Sequence, residues 1–382
     1  MSTLAMMVSA REVSLSETWK PFLASLLALA ALAFPLYAAE GVVTMRDGAG
    51  YLSLALILGA AAIAIKRPGS TLANVLLGIG AHGAAAILIA SLPGRAAPGY
   101  WLETAAAWLL AWQLVDNLAG ARPAQPAARR ALALLIPLLF GAWLLILWEL
   151  VVRGANVPQV LLPAPSAIGA TIMGSTDILW VDFLQTFKAV LIGYLIGCGS
   201  GFVVALLCDR YGFLKRGLLP IGNLASALPI VGVAPIMVMW FGFDWPSKAA
   251  VVVIMTFFPM LVNTVAGLQA AGRLERDMMH TYAASPAQGL VKLRLPAAMP
   301  FIFNALKINS TLALIGAIVA EFFGTPIVGM GFRISTEIGR MNLGMVWAEI
   351  AVAAVAGSAF YGLVAWLERR ATFWHPSQRG AR

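Results

Sequence analysis

The chain has 382 residues, of which 60% are hydrophobic and 11% are charged, and its mean hydropathy is +0.85. Because an ordinary soluble domain carries about 25% charged residues, this composition excludes a soluble globular protein and predicts a polytopic membrane protein. The net charge of +9 comes with no basic run long enough to indicate a nucleic-acid partner. The two cysteines, Cys198 and Cys208, share one apolar stretch, which argues against a disulfide scaffold or a zinc site.

Ten apolar stretches are long enough to be candidate spans, and they predict an all-α membrane protein with about ten transmembrane helices. The fourth stretch carries Glu103 and Asp116, so it either crosses the membrane against other helices or lies in the interface. In chain order the stretches are 21–39, 50–65, 72–92, 101–118, 131–152, 183–208, 218–241, 248–271, 300–320 and 346–367.

The distribution of basic residues supports ten spans. Most of the 26 Lys and Arg residues fall in loops that ten spans place on the same side as both termini, and Lys and Arg concentrate in cytoplasmic loops. We therefore expect a multi-pass protein with both termini in the cytoplasm. Two lysines, Lys188 and Lys307, fall within spans, where they either snorkel to the interface or pair with Glu149 or Glu321.

A Pro/Ala/Arg stretch at 120–130, GARPAQPAARR, is typical of a cytoplasmic linker. It separates four spans from six, and we expect a four-helix membrane extension at 1–125 and a six-helix part at 126–382. The first part carries no motif, and packing or insertion is its simplest role.

The motifs of common enzyme sites are missing. The sequence has no G-x-x-x-x-G-K-[ST] phosphate loop, no H-E-x-x-H and no G-x-S-x-G, and its three histidines are far apart. We therefore expect no catalytic residues, no metal site and no ATP-binding site in this chain.

The longest loop of the second part, residues 273–296, is amphipathic. Leu274, Met278 and Tyr282 recur at helical spacing and form an apolar stripe beside charged residues. Ser285 is a good N-cap and Pro286 a good first helical residue, so a second short helix should run from there to Leu295, where Pro296 interrupts it. Two amphipathic helices indicate a segment that docks on a partner, or else a helix that lies on lipid headgroups.

This segment resembles the cytoplasmic coupling loop of permease subunits of type I ABC importers. The signature of that loop is Glu-Ala-Ala, a Gly at the seventh position, and Leu-Pro at the nineteenth and twentieth. Anchoring it on Leu295-Pro296 places Asp277 at the Glu position and Ala283 at the Gly position. Met278 and Met279 then occupy the two Ala positions.

Further short motifs between residues 131 and 376 resemble the nitrate, sulfonate, taurine and thiamine-precursor branch of that family. Their order and spacing carry the resemblance more than any one of them. They are Leu161-Leu162-Pro163-Ala164-Pro165-Ser166, Gly193-Tyr194, Ala227-Leu228-Pro229, Ala320-Glu321-Phe322 and Gly329-Met330-Gly331.

The resemblance implies a bacterial inner-membrane permease that works with a second copy of itself, two cytoplasmic ATPase subunits and a periplasmic solute-binding protein. ATP and Mg²⁺ would be bound by the ATPase, and lipid would surround the spans. The residues expected to couple the permease to the ATPase are Arg276, Asp277, Met278, Met279, Tyr282, Ala283, Arg294, Leu295 and Pro296.

A translocation path is expected along spans seven to nine, where Pro229 and Pro235 interrupt an apolar stretch and free backbone carbonyls. The same polar residues could instead form interhelical hydrogen bonds. The candidates are Trp240, Phe257, Phe258, Asn263, Asn304, Asn309, Thr311 and Glu321.

The ending around Glu368-Arg369-Arg370 resembles the thiamine-precursor and riboflavin permeases, which implies an aromatic heterocycle as solute.

Two other functions stay open. One is a secondary transporter driven by an ion gradient, although we find no internal repeat of the kind such proteins carry. The other is a non-transporting membrane subunit whose loop docks a cytoplasmic partner.

Overall fold

The computed structural model describes residues 15–39, 42–44, 47–91, 94–225, 229–324 and 327–374. Nearly all of these residues are helical, which confirms the prediction of an all-α membrane protein. The chain divides into two compact units, of which the first ends at Ala167 and the second begins at Ile168.

In its described residues, the first unit contains five helices and a small antiparallel sheet. Its helices are α1 (Leu15–Ala31), α2 (Gly48–Lys66), α3 (Thr71–Ala90), α4 (Pro98–Gly120) and α5 (Pro126–Gly154). The strands are β1 (Tyr37–Ala39), β2 (Val42–Thr44) and β3 (Arg95–Ala96), in the order β2-β1-β3. Tyr37 pairs with Thr44 on one side and with Ala96 on the other.

Helix α5 packs with this unit because Trp143 and Leu150 are buried in its core. The Tyr100 hydroxyl on α4 also donates to the Leu150 carbonyl, 3.0 Å away. The compact unit therefore extends 42 residues past the composition boundary at 125, since it ends at Ala167. The division into a four-helix extension at 1–125 and a six-helix part at 126–382 stays a prediction.

The second unit contains the remaining helices. They are α6 (Pro165–Gly174, which begins at the end of the first unit), α7 (Thr176–Arg210), α8 (Gly212–Ala225), α9 (Ile230–Phe241), α10 (Trp245–Gln269), α11 (Arg273–Thr281), α12 (Pro286–Gly289), α13 (Leu295–Glu321), α14 (Met330–Gly339) and α15 (Leu343–Ala371). A π-helical turn, Leu290–Arg294, joins α12 to α13.

Helices α7 and α10 approach closely because α7 carries glycines four residues apart. A Cβ on Gly193 would lie 2.7 Å from the Ala249 carbonyl oxygen, and one on Gly201 would lie 2.5 Å from the Phe257 carbonyl oxygen. Small residues at this spacing let helix backbones pack tightly within a membrane. The Gly193-Tyr194 motif therefore has a packing role, and the Tyr194 hydroxyl also donates to the Leu306 carbonyl, 3.1 Å away on α13.

Each of the ten predicted stretches is largely helical. Within the described residues, seven helices are long and apolar enough to cross a membrane: Gly48–Lys66, Thr71–Ala90, Pro126–Gly154, Thr176–Arg210, Trp245–Gln269, Pro286–Glu321 and Leu343–Ala371. The first stretch forms the shorter α1, and the fourth forms α4, whose charged residues lower its hydropathy. A count of ten spans stays a prediction.

Two predicted stretches differ from the structure. The stretch 218–241 is not one helix, because α8 ends at Ala225 and α9 begins after Pro229, which has no N–H to continue a helix. Ala227 and Leu228 lie outside the described residues. The stretch 21–39 is also too long, since α1 ends at Ala31 and β1 begins at Tyr37.

Candidate functional site

Helix α11 presents the predicted apolar stripe on its surface. No residue of Arg273–Thr281 is buried. The exposed fraction is 82% for Leu274, 54% for Met278 and 80% for Tyr282, which directly follows the helix. The prediction of an amphipathic helix here is confirmed, and its apolar face needs a partner or lipid to cover it.

The helix ends in a Schellman turn centred on Ala283. The Ala284 N–H donates to the Met279 carbonyl at 3.0 Å, and the Ala283 N–H donates to the His280 carbonyl at 2.9 Å. Ala283 has a φ of 52°, the left-handed conformation that this turn requires and that glycine adopts without strain. Ala283 therefore keeps the turn geometry that the glycine of the family signature would give.

The second helix begins as predicted and ends differently. Ser285 and Gln288 form a capping box, in which Gln288 N donates to Ser285 Oγ at 3.3 Å and Ser285 N donates to Gln288 Oε1 at 2.8 Å. Pro286 is the first helical residue. The expected interruption at Pro296 is wrong, because the helix runs on into α13.

The π-helical turn explains how the helix continues past Pro296. Within that turn the Leu295 N–H bonds to the Leu290 carbonyl, five residues back. The extra residue shifts the hydrogen-bond register just before the proline, so the carbonyl that its ring would otherwise meet is displaced. Leu295 and Pro296 therefore lie half-buried inside a continuous helix and not in a free loop.

Two arginines tie the segment to the ends of neighbouring helices. Arg276 donates to the Gln269 carbonyl at 2.9 Å, at the C-terminal end of α10. Arg294 donates to the Leu268 carbonyl at 3.1 Å and forms a bidentate pair with the Asp209 carboxylate at the end of α7. Cations at helix C-termini are favourable because they face unpaired carbonyls. Both arginines, expected as contacts to a partner, bind within the chain.

Asp277 remains open to a partner. Its side chain is 69% exposed, and its nearest cation is Arg273, whose Nε lies 4.0 Å away. Exposed pairs at this distance contribute little, so Asp277 is free to bind a group on another protein. Met279, in contrast, is half-buried.

The eight candidate path residues divide into exposed and buried positions. Trp240 is 72% exposed on α9, and Asn304 and Thr311 are exposed on one face of α13. Phe257 and Phe258 on α10 are half-buried and in edge-to-face contact, with ring centroids 5.0 Å apart. Their role in a path stays a prediction.

The other three bond within the protein. Asn309 is fully buried, and its Nδ2 donates to the Thr256 carbonyl at 2.8 Å, linking α13 to α10. Asn263 donates to the Pro259 carbonyl of its own helix at 2.8 Å. Glu321 is 2% exposed. In this conformation Asn309 and Glu321 are therefore packing groups, as the alternative interpretation allowed.

Glu321 joins two of the short motifs found in the sequence. Its carboxylate accepts hydrogen bonds from the Gly331 N–H at 2.7 Å and from the Thr186 hydroxyl at 2.8 Å. A Cβ on Gly329 would lie 2.7 Å from Glu321 Oε1, and one on Gly331 would overlap the Ile318 carbonyl. The two glycines are therefore needed so that the chain after α13 can fold back onto this carboxylate.

Asp182 holds the same segment from α7. Its Oδ1 accepts from the Gly329 N–H at 2.7 Å, and its Oδ2 accepts from Arg333 Nε at 2.7 Å. Glu349 on α15 is also fully buried beside this pair. Buried carboxylates need such partners, because an unpaired buried charge costs several kcal/mol.

Lys248 on α10 belongs to the same cluster of buried charged residues as Glu321, Asp182 and Glu349. It is 2% exposed, and its ammonium donates to the Phe243 carbonyl at 2.6 Å and to the Gly324 carbonyl. It thus ties the turn before α10 to the turn after α13. Together these buried charges fix the ends of α7, α10, α13, α14 and α15.

The predicted partners of the two intramembrane lysines are wrong. Lys307 pairs with Glu368 on α15 at 2.7 Å, and Lys188 lies 5.0 Å from the centroid of the Trp245 ring. Glu149 instead accepts from the Ser166 backbone N–H at 2.9 Å and from Arg153. The Glu149 carboxylate thus caps the start of α6, at the Pro165-Ser166 motif.

Sequence reasoning missed four of these charged groups: Asp182, Asp209, Lys248 and Glu349. Asp182, Lys248 and Glu349 are lone charges near the end of an apolar stretch, and Asp209 stands beside Arg210 at such an end. Charged residues at these positions are ordinarily solvated. Their isolation in otherwise apolar surroundings was the available signal.

Comparisons with known proteins agree with this architecture. The model of the family described as binding-protein-dependent transport system inner membrane component matches residues 189–373. This range includes residues 273–296, called the coupling segment below, and the buried residues Lys248, Glu321 and Glu349, whereas Asp182 lies outside it.

Three relatives illustrate the similarity. A probable ABC transporter permease protein of Haemophilus influenzae is 30% identical over 237 residues, which are 62% of this chain and 96% of the relative. A formylaminopyrimidine transport permease protein of Halalkalibacterium halodurans is 30% identical over 65% of this chain and 100% of its own length. A riboflavin transport system permease protein of Chloroflexus aurantiacus is 29% identical over 61% of this chain and 88% of its own.

Relatives named for sulfonate, taurine and bicarbonate transport also match, which is the branch that the short motifs indicate. The family is established by 30% identity over 96% and 100% of the length of the first two relatives. The chain belongs to the binding-protein-dependent inner membrane components, the permease subunits of ABC transporters.

Proposed function

We propose that this permease is the membrane-spanning subunit of an ATP-driven importer that takes up an aromatic heterocycle delivered by a periplasmic binding protein. It would work as a pair of copies in the bacterial inner membrane, with both termini in the cytoplasm. Two separate ATPase subunits would bind ATP and Mg²⁺. The core would begin at residue 126, with residues 1–125 as an added module.

The exposed stripe of Leu274, Met278 and Tyr282 is the observation that carries this proposal. A short helix with an uncovered apolar face, held at a defined angle by a Schellman turn and a capping box, suits insertion into a groove on a partner. Preorganisation of this kind lowers the ordering cost of binding. Asp277 adds an exposed carboxylate beside the stripe.

The hydrogen bonds of Arg294 to neighbouring helices give this surface a mechanical role. Because Arg294 bonds to both α7 and α10, a displacement of the segment would be passed to two long helices of the unit. ATP binding would close the ATPase pair, move the docked segments together and shift the permease between inward-facing and outward-facing states.

The class of solute is inferred from the relatives. Two of the most similar relatives are named for formylaminopyrimidine and riboflavin transport, and both solutes are nitrogen-containing aromatic rings. The binding protein would select the solute, so the permease needs only a path of suitable size. Exposed Trp240, Asn304 and Thr311 are the residues proposed to line it.

The docking proposal is tested by charge reversal at Asp277. We expect Asp277→Arg to insert normally and to lower uptake at least tenfold while the ATPase still turns over. Asp177→Arg is the matched control, because Asp177 is also exposed near a helix start but lies on the predicted outer side. Uptake of labelled riboflavin or formylaminopyrimidine and ATP turnover are measured in proteoliposomes with the binding protein and ATPase.

A second pair of variants tests the apolar stripe directly. Leu274→Glu should abolish co-purification of the ATPase, whereas Leu161→Glu, at a residue 69% exposed on the predicted outer side, should retain it. Equal retention by both variants would contradict docking through α11. Uptake that persists without the ATPase and follows an ion gradient would instead identify a secondary transporter.

A further inference from the structure

A cavity of about 370 Å³ opens between α4 and α5 in the first unit. Helix α4 contributes Trp108, Trp112 and Asp116 to its lining, and α5 contributes Phe140 and Trp143. We call it the Trp pocket. It lies outside residues 189–373, the part matched by the permease family model, and its volume is in the range of small-molecule sites.

The inner wall of the Trp pocket is fixed by hydrogen bonds. Trp143 is 1% exposed, and its indole N–H donates to His82 Nε2 at 3.1 Å. The other ring nitrogen of His82 bonds the Gly78 carbonyl at 2.8 Å. Because a carbonyl only accepts and an indole N–H only donates, the His82 tautomer with its proton on Nδ1 satisfies both bonds. Trp108 packs edge-to-face on Trp143, with centroids 5.9 Å apart.

The mouth of the pocket combines an aromatic ring with charge. The Lys20 ammonium pairs with the Asp116 carboxylate and lies 4.8 Å from the Trp112 centroid and 5.3 Å from the Trp19 centroid. This cation–π arrangement holds Trp112 in place. Lys20 is buried, whereas the Asp116 side chain is 45% exposed, so its carboxylate can accept a further N–H from a molecule in the pocket.

These features favour a flat ligand over a lipid chain. A saturated acyl chain makes no use of ring orientation or of a carboxylate, and Leu or Val would cover it equally well. A planar heterocycle can stack on an indole and donate an N–H to Asp116 at its edge. Fixed rotamers around a half-open cavity are also what a binding site requires.

We propose that the Trp pocket is a second ligand site that binds an aromatic heterocycle carrying an N–H donor, such as a flavin or an aminopyrimidine. The site is independent of the docking surface and of the identity of the imported solute. Since Lys20 and Asp116 lie near the predicted cytoplasmic ends of α1 and α4, the ligand would enter from that side.

The test uses the full chain in nanodiscs, without ATPase or binding protein, and riboflavin as the probe. Stacking on an indole quenches flavin emission, so binding is read without transport. We expect saturable quenching that 4-aminopyrimidine reverses. Trp112→Leu and Asp116→Asn should each weaken it at least tenfold. The control is Trp366→Leu, because Trp366 on α15 has the same 44% exposure as Trp112.

Three results would overturn the proposal. One is quenching that is absent or not saturable, including quenching equal to that of empty nanodiscs. Another is equal loss of binding in Trp112→Leu and Trp366→Leu. The third is a lipid that co-purifies in a fixed ratio and is lost only in Trp112→Leu. Failure of uptake in the importer assay, with quenching intact, would count against the proposed function alone.

Discussion

The bidentate pair between Arg294 and Asp209 should determine how firmly the coupling segment is held. The side chains are 24% and 15% exposed, respectively, so both are mostly removed from solvent. Substituting Arg294→Gln removes the ionic partner of Asp209 and leaves that carboxylate poorly compensated. Breaking a buried pair costs about 3–5 kcal/mol. With the partial exposure of this pair, we expect a loss of about 2–3 kcal/mol.

The measurement is the thermal midpoint of the purified chain in detergent, with Arg273→Gln as control. The Arg273 side chain is 94% exposed, and its Nε lies 4.0 Å from the Asp277 carboxylate. Substitution of Arg273 should therefore leave the thermal midpoint unchanged. Arg294→Gln should lower it by several degrees. A double-mutant cycle with Asp209→Asn isolates the pairwise contribution.

The reasoning also predicts a functional effect. A loosened segment should still bind the ATPase through α11 but pass less of its motion to α7 and α10. Uptake per ATP hydrolysed should therefore fall in Arg294→Gln while ATP turnover persists. Equal midpoints and equal uptake ratios for Arg294→Gln and Arg273→Gln would refute the anchoring role.

Two further predictions concern turns. Because Ala283 has a φ of 52°, Ala283→Gly should raise the free energy of unfolding by about 1 kcal/mol through relief of left-handed strain; an unchanged or lower thermal midpoint would contradict this. Asp47 caps α2 by accepting from Gly50 N at 2.8 Å, and this bond, with one from the Tyr37 hydroxyl, lowers the pKa of Asp47 below its usual range. A lowered pKa adds stability above about pH 4 that is lost as the pH falls further. Any advantage of wild type over Asp47→Asn in thermal midpoint should therefore shrink below about pH 4, and a constant difference would count against the cap.

Part of the coupling segment was predictable from sequence because its signals are local. The spacing of Leu274, Met278 and Tyr282 predicts the helix, and Ser285-Pro286 predicts the next start, since capping depends on residues within one turn. The end of that helix was not predictable in the same way. Pro296 normally interrupts a helix, and the π-helical turn that accommodates it depends on how the helix packs.

The sequence by itself determined an all-helical membrane protein, its family resemblance and the face of α11 that lacks a cover. These follow from composition, periodicity and short motifs, each of which is a property of neighbouring residues. The tertiary structure alone decided which charges meet. Arg294 with Asp209 and Lys307 with Glu368 are separated by 85 and 61 residues along the chain, and an apolar environment forces such charges to find partners without specifying which. The Trp pocket likewise depends on tertiary structure, because its walls come from two helices. The distance between those helices cannot be predicted from a local sequence pattern.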